Sequence, residues 1–122
     1  MMDVIAVGLG GFIGAVLRYL IGLIPMNETT TFPIKTFVIN ILGCVAIGCI
    51  AAVSAKNTEL NPRMILFLKV GICGGFTTFS TFALETTDLI RNGHTGIAFL
   101  YAVLSLVIGC AVIFRAELVI NR

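Results

Sequence analysis

Four apolar stretches, each long enough to cross a lipid bilayer as a helix, dominate this sequence. They run over residues 4–24, 32–53, 63–86 and 96–114. A spanning helix needs about 20 mostly apolar residues, because the hydrocarbon core of a bilayer is about 30 Å thick. The predicted fold is therefore an all-α membrane protein with four transmembrane helices, arranged as a single domain over residues 1–122.

Short polar connectors separate these stretches, over residues 26–31, 54–62 and 87–95. Connectors of this length predict that successive helices run antiparallel and that both termini lie on one side of the membrane. The first stretch lacks the basic start of a signal peptide and its apolar run is too long for one. We therefore expect it to be retained as the first span.

Composition excludes several classes of protein. Charged residues make up only 11% of the chain, against about a quarter in a typical soluble domain. An ordinary cytosolic enzyme would need more charge to cover its surface. A net charge of +2 without a basic cluster also argues against nucleic-acid binding.

Positive charge is distributed almost evenly between the two sides of the membrane. The side with the termini carries Lys56, Arg63, Arg115 and Arg122, with Lys69 inside the third stretch, and the other side carries Lys35 and Arg91, with Arg18 inside the first. Lys and Arg accumulate in cytoplasmic loops. The small difference favours cytoplasmic termini and also permits insertion in both orientations.

Residues suited to catalysis or metal binding are sparse. The single histidine, His94, lies in the third connector with no nucleophile beside it in the sequence. The four cysteines, Cys44, Cys49, Cys73 and Cys110, lie in apolar stretches without metal-site spacing. We interpret them as packing residues and predict that the protein is not an enzyme.

Polar residues inside the first two stretches are unusual, since such groups are costly in hydrocarbon. One helix face of the first stretch collects Gly11, Gly14, Arg18 and Gly22, which predicts a close-packing surface with an arginine facing protein or a vestibule. The second stretch carries a narrow stripe of Thr36, Asn40, Gly43 and Cys44. Its amide group at Asn40 either bonds a neighbouring helix or faces a permeating anion or water, and the spacing favours neither.

The third stretch contains the most informative segment, GGFTTFSTF over residues 74–82. Paired glycines followed by hydroxyl and β-branched residues are poor helix formers, so a break is predicted within residues 74–78. Broken backbone is tolerated at membrane depth only inside protein or along a cavity. Phe76, Phe79 and Phe82 recur every three residues, and their ring edges carry partial positive charge that suits an anion.

The fourth stretch places Tyr101, Ser105 and Gly109 on one helix face. Each hydroxyl has an ordinary explanation, in an interfacial aromatic belt or a local backbone hydrogen bond. Together with Asn40 and the hydroxyls of the third stretch, they form a set rich in hydrogen-bond donors and poor in carboxylates. Such a set suits a small anion or water better than a cation.

Three segments together resemble the Fluc (CrcB) family of fluoride channels. They are GGFIGAVLRY (10–19), TFVINILGCVAIG (36–48) and GGFTTFSTF (74–82), in the family's order and at a similar chain length. The resemblance implies an antiparallel, dual-topology homodimer with two pores, in a bacterial inner membrane. It also implies passive export of fluoride, which gives fluoride resistance.

The resemblance further implies roles for individual residues. It assigns the fluoride pore to Asn40, Phe79, Phe82, Ser80, Thr81, Tyr101 and Ser105, and it makes Arg18 a support of the vestibule. The backbone carbonyls of Gly74 and Thr77 would hold a structural sodium ion shared by both subunits. A further hydroxyl, common in the family one turn beyond Ser105, is replaced here by Gly109.

Two other hypotheses remain at this point. A small dual-topology, proton-coupled exporter requires a carboxylate inside the membrane, and Glu85 is the acid that lies within a stretch, near its end. A non-transporting assembly subunit would use the polar groups only to bond helices together.

Overall fold

The structure, a computed structural model, describes residues 1–26 and 29–122. Within these residues, four helices are long and apolar enough to span a membrane: Met2–Gly22, Ile34–Lys56, Pro62–Arg91 and Thr95–Ile120. The four predicted spans are confirmed, and three of them end beyond the predicted boundary. The connector predicted over 26–31 includes residues 27 and 28, which lie outside the described residues.

The third span is a composite of several helical pieces. It comprises α3 (Pro62–Leu66), a π-helical segment (Phe67–Cys73), α4 (Gly74–Phe76) and α5 (Phe79–Arg91). The other three spans are single helices: α1 (Met2–Gly22), α2 (Ile34–Lys56) and α6 (Thr95–Ile120). The predicted break is confirmed, and it lies at the C-terminal end of the predicted range 74–78, where Thr77 and Thr78 are extended. The two glycines stay helical, so the β-branched threonines carry the break.

Local sequence signals position the ends of the third span. The Asn61 side chain caps α3 by accepting a hydrogen bond of 2.9 Å from the backbone N–H of Arg63, with Pro62 in the first helical position. Gly93, with φ of 83°, allows the sharp turn from α5 into α6. The break therefore lies between two well-defined helix ends.

Helix α1 packs against the third span through backbone rather than side chains. A Cβ on Gly10 would collide with the Phe67 carbonyl oxygen, and one on Gly14 with the Ile72 carbonyl oxygen. Gly71 on the third span is part of the same contact, since its Cβ position lies 2.8 Å from the Cα of Gly10. Small residues permit this approach between membrane helices.

The prediction that α1 packs closely through glycines is confirmed, but the set of glycines in the contact differs from the predicted one. Gly14 belongs to the contact, and Gly10, which the spacing argument omitted, belongs to it as well. Among the described residues, nothing lies within 4 Å of the Cβ positions of Gly11 and Gly22, so these two predicted members do not direct their Cβ positions into the contact.

Helices α2 and α6 pack along each other on the other side of the subunit. The Cβ position of Gly48 lies 3.0 Å from the Cα of Ile113, and that of Gly109 lies 3.2 Å from the Sγ of Cys44. Near the connector between α5 and α6, Tyr101 is fully buried together with Leu89 and Ala98. The third span is thus enclosed by α1 on one face and by α2 and α6 on the other.

Candidate functional site

Asn40 on α2 holds the break in the third span. Its Nδ2 donates to the Thr78 carbonyl oxygen at 3.1 Å, and its Oδ1 accepts from the Thr78 N–H at 2.8 Å. An extended residue at membrane depth leaves both backbone groups without helical partners. One side-chain amide therefore replaces both lost helical hydrogen bonds.

The two threonines of the break have different tasks. Thr77 turns back on the preceding helix, because its N–H and its Oγ1 both donate to the Cys73 carbonyl oxygen, at 3.0 and 2.9 Å. Thr78 instead caps α5, since its Oγ1 accepts from the Thr81 N–H at 3.2 Å and donates to the Thr81 Oγ1 at 3.0 Å. This is the side-chain capping typical of threonine.

A cavity of about 790 Å³ opens on one side of the break, below the connector between α1 and α2. Arg18 lines it, and its Nε donates to the Gly75 carbonyl oxygen at 3.2 Å. Lys35 lies at the same end and donates to the Gly22 carbonyl oxygen at 2.9 Å. Two cations face the cavity, with Glu85 as the carboxylate among its described lining residues.

A second cavity, of about 610 Å³, lies on the other side of the break and opens on the surface of the subunit. Its polar lining includes Asn40, Thr77 and Ser105, together with the exposed backbone of Gly74. Ser105 is notable because its Oγ is buried and makes no hydrogen bond within the described residues. Buried hydroxyls are nearly always paired, so this oxygen has hydrogen-bonding capacity that the described residues leave unused.

Thr78 lines both cavities and is the wall between them. The residue whose backbone Asn40 holds is therefore also the residue that the described linings of the two cavities share. Thr81 lines the first cavity only, and Ser105 the second only. The break places hydroxyl groups on both sides of this boundary.

Two phenylalanine rings follow the break and line the second cavity. The Phe79 ring is 79% exposed on the subunit surface. The Phe82 ring is held in place, with its centroid 5.8 Å from that of Phe79 and 4.9 Å from that of Tyr101 in an edge-on arrangement. A predicted continuous stripe with Phe76 is interrupted, because the break lies between Phe76 and Phe79.

A hydrogen-bonded group around Glu85 was not predicted as a unit. The Thr36 hydroxyl donates to one carboxylate oxygen at 2.5 Å, and the Tyr101 hydroxyl donates to the other at 3.1 Å. Thr36 is only 8% exposed and Tyr101 0%. The signal available in the sequence was the position of Thr36, one turn before Asn40 on α2, opposite an acid inside the third span.

Some residues implied by the resemblance lie away from the cavities. Tyr101 is packed beneath Phe82 rather than in the lining of either cavity. Ser80 is exposed, and its nearest polar partner is the Thr78 Oγ1 at 3.5 Å. At the level of Gly109 the Cys44 thiol fills the space beside the helix, and Cys44 also lines the second cavity.

The lining of the second cavity favours an anion or water over a multivalent cation. Hydroxyl, amide and aromatic side chains line it, and its described lining contains no carboxylate. Across residues 1–26 and 29–122, no group of three or more His, Cys, Asp and Glu side chains is placed to hold a metal ion. Instead of such side chains, the backbone carbonyls of Gly74 and Thr77 are hard oxygen ligands of the kind that suits a small monovalent cation.

Comparison with known proteins identifies the family of the chain. The family model described as CrcB-like protein, Camphor Resistance (CrcB) matches residues 5–116. A protein of Chlorobaculum tepidum named fluoride-specific ion channel FluC is 45% identical, over 97% of this chain and 94% of its own length.

Other relatives of the same name show similar agreement. The protein of Ruminiclostridium cellulolyticum is 46% identical over 87% of this chain and 82% of its own length. That of Azobacteroides pseudotrichonymphae is 41% identical over 88% of this chain and 86% of its own length. Matches of this extent include all four spans and the break, and on that basis the chain belongs to the CrcB family.

Proposed function

We propose that this protein is a fluoride-selective ion channel that exports fluoride passively, lowers intracellular fluoride and so gives fluoride resistance. Its relatives carry the name fluoride-specific ion channel. The observation in the structure that supports this function best is the unpartnered Ser105 hydroxyl, buried in a cavity that Asn40 and two phenylalanine rings also line. Fluoride is a small, strong hydrogen-bond acceptor, and each of these groups offers it a donor or a positive edge.

The path begins in the first cavity and ends in the second. Arg18 and Lys35 attract an anion into the first cavity, whose lining also includes Thr81 and Thr78. Beyond the boundary at Thr78, the ring edges of Phe79 and Phe82 and the Ser105 hydroxyl replace water around the ion. Ser80 and Tyr101 act beside this path, as hydroxyls close to Thr78 and Phe82.

The functional unit is a homodimer of antiparallel subunits. The second cavity opens on the subunit surface and exposes polar groups that would be costly against lipid. A second copy seated there would cover these groups and the exposed Phe79 ring. The near balance of Lys and Arg between the two sides is compatible with insertion in both orientations, and the bacterial inner membrane is the proposed location.

Gly74 and Thr77 are suited to hold a structural sodium ion through their carbonyl oxygens. Both line the second cavity, and the Cβ position of Gly74 has nothing within 4 Å, so the backbone there is accessible to a ligand from a facing subunit. Bound sodium would supply positive charge that stabilises the interface. The chain's own part is to hold the break, with Thr77 bonded to the Cys73 carbonyl oxygen and Thr78 bonded to Asn40.

The proton-coupled exporter is not favoured. Such a mechanism needs a carboxylate free to exchange protons with substrate, but both oxygens of Glu85 accept hydrogen bonds from buried hydroxyls of the same chain. The expected consequence is that anion flux does not depend on an imposed proton gradient.

Efflux from liposomes that contain only this purified protein tests the proposal. Vesicles are loaded with fluoride or with chloride, and release is followed with an ion-selective electrode. Rapid fluoride release with chloride retained is the expected result. Absence of flux would support a subunit that needs a different partner, and equal flux of both anions would contradict selectivity.

A further inference from the structure

Gly43 lies on α2 directly opposite the break in the third span. A Cβ at this position would collide with the Cγ2 methyl of Thr77, and it would also lie 3.6 Å from the Phe76 ring. Gly43 is buried and lines the second cavity. The methyl of Thr77 therefore occupies the space where any other residue would carry its side chain.

Asn40 and Gly43 lie one helical turn apart, on the same face of α2. Asn40 bonds the backbone of Thr78 through two hydrogen bonds, and Gly43 receives the side chain of Thr77. Each extended residue of the break thus has its own partner on α2. Asn40 holds Thr78 through hydrogen bonds, and Gly43 accommodates Thr77 by leaving space for its methyl group.

The Thr77 side chain is constrained at both of its branches. Its Oγ1 donates to the Cys73 carbonyl oxygen at 2.9 Å, while its Cγ2 fits against Gly43. A β-branched residue has few rotamers available, so the methyl can move away from Gly43 only by a rotation that breaks the hydroxyl's bond to Cys73 or by a shift of the Thr77 backbone. The direction of the Thr77 carbonyl depends on this fit.

From these contacts we infer that Gly43 is a positioning residue of the channel, which sets the conformation of Thr77 at the break and thereby the sodium-binding carbonyl and the wall between the cavities. This inference rests on the proposed function. Besides the hydrogen bonds made by Asn40, α2 must leave space for the Thr77 methyl. The inference predicts that this space holds one methyl group, which either residue 43 or residue 77 can supply, but not both.

A double-mutant cycle tests the inference. Gly43→Ala adds one methyl at the contact, and Thr77→Ser removes one there while it keeps the hydroxyl that bonds Cys73. Gly43→Ala alone should reduce fluoride flux at least about tenfold, because overpacking of a rigid contact is costly. The double variant should conduct at the level of Thr77→Ser and well above Gly43→Ala.

The same four proteins are compared by thermal unfolding in detergent, so that the cycle has a result even if Thr77→Ser itself conducts poorly. Gly43→Ala should lower the unfolding midpoint in the original background and lower it much less in the Thr77→Ser background. Additive effects of the two substitutions would overturn the inference, as would a Gly43→Ala channel that conducts normally. Loss of flux in the unsubstituted protein would instead count against the proposed function.

Gly48→Ala is the matched control on the same helix. The Cβ position of Gly48 lies 3.0 Å from the Cα of Ile113 on α6, so this substitution disturbs a helix contact remote from the break. It should lower the unfolding midpoint equally in both backgrounds. Rescue of Gly48→Ala by Thr77→Ser would show that the recovery is nonspecific and would overturn the inference.

Discussion

The two faces of the third span are built in opposite ways. Towards α1 the contact is closed: Gly10 and Gly14 lie so close to its backbone that a Cβ on either would collide with a carbonyl oxygen. Towards α2 and α6 the contact is open, with a cavity of about 610 Å³ and a buried hydroxyl to which no described residue bonds. The closed face gives the span its position, and so the open face can remain unfilled without collapse of the break.

The largest expected effect comes from a substitution on the closed face. Gly14→Ala places a methyl against the Ile72 carbonyl oxygen, where neither backbone can yield. We expect a loss of about 3 kcal/mol in the free energy of unfolding, measured by thermal or denaturant unfolding in detergent. Gly8→Ala is the control, since its Cβ meets nothing within 4 Å, and equal stability of the two variants would contradict the closed contact.

The next largest effect is expected at Asn40, where the two faces meet through the break. Asn40→Asp replaces the Nδ2 donor by an oxygen that faces the Thr78 carbonyl oxygen. Fluoride flux should fall about a hundredfold, which corresponds to about 2.7 kcal/mol and lies within the cost of leaving a buried hydrogen-bonding group unsatisfied.

The control for Asn40→Asp is Asn57→Asp at the exposed end of the same helix. There the Oδ1 acceptor for the Glu59 N–H at 3.1 Å is retained, so flux should stay within about twofold of the original. Normal flux through the Asn40→Asp channel would mean that the path does not cross the break.

On the open face, stability and flux should change in opposite directions. Ser105→Ala removes a buried hydroxyl that has no partner among residues 1–26 and 29–122, so the unfolding free energy should stay equal or rise by up to about 1 kcal/mol. Fluoride flux should fall about tenfold if that hydroxyl contacts the ion. Ser54→Ala, which loses a hydrogen bond to the Ala51 carbonyl oxygen, is the comparison, and a shared decrease of flux in both variants would argue against a specific role.

The smallest effect is expected far from both faces. Asp3 and Arg63 form a salt bridge of 2.8 Å, but their side chains are 60% and 50% exposed. Exposed pairs contribute about 0–1 kcal/mol, so Asp3→Asn should change the unfolding midpoint slightly and the flux by less than about twofold. A large change of flux would show that the contact between the start of α1 and the start of the third span is coupled to the break.

The sequence was sufficient to predict the spans and the break. Long apolar runs determine spanning helices wherever they pack, and the weak helix formers at Thr77 and Thr78 determine where the third span opens. The sequence was not sufficient to decide the role of Asn40. Its amide could bond a helix or face an ion, and only the position of Thr78 opposite it shows that both its atoms hold backbone.

The details that escaped prediction depend on contacts between distant segments. The π-helical segment before the break changes the register of the glycines that follow it, and spacing arguments assume a regular helix. The packing of Tyr101 beneath Phe82 depends on Glu85, which lies 16 residues earlier on another helix. Periodicity assigns a face to each residue of one helix but not the partner that the face meets.

The hydrogen bonds at Thr77 and Thr78 have a consequence for the life of the protein before assembly. Their partners, Asn40 and the Cys73 carbonyl, all belong to the same chain. The interrupted helix is therefore complete within a single chain and needs no contact from a second one. The proposed antiparallel dimer would then form from subunits whose backbone at the break is already in place.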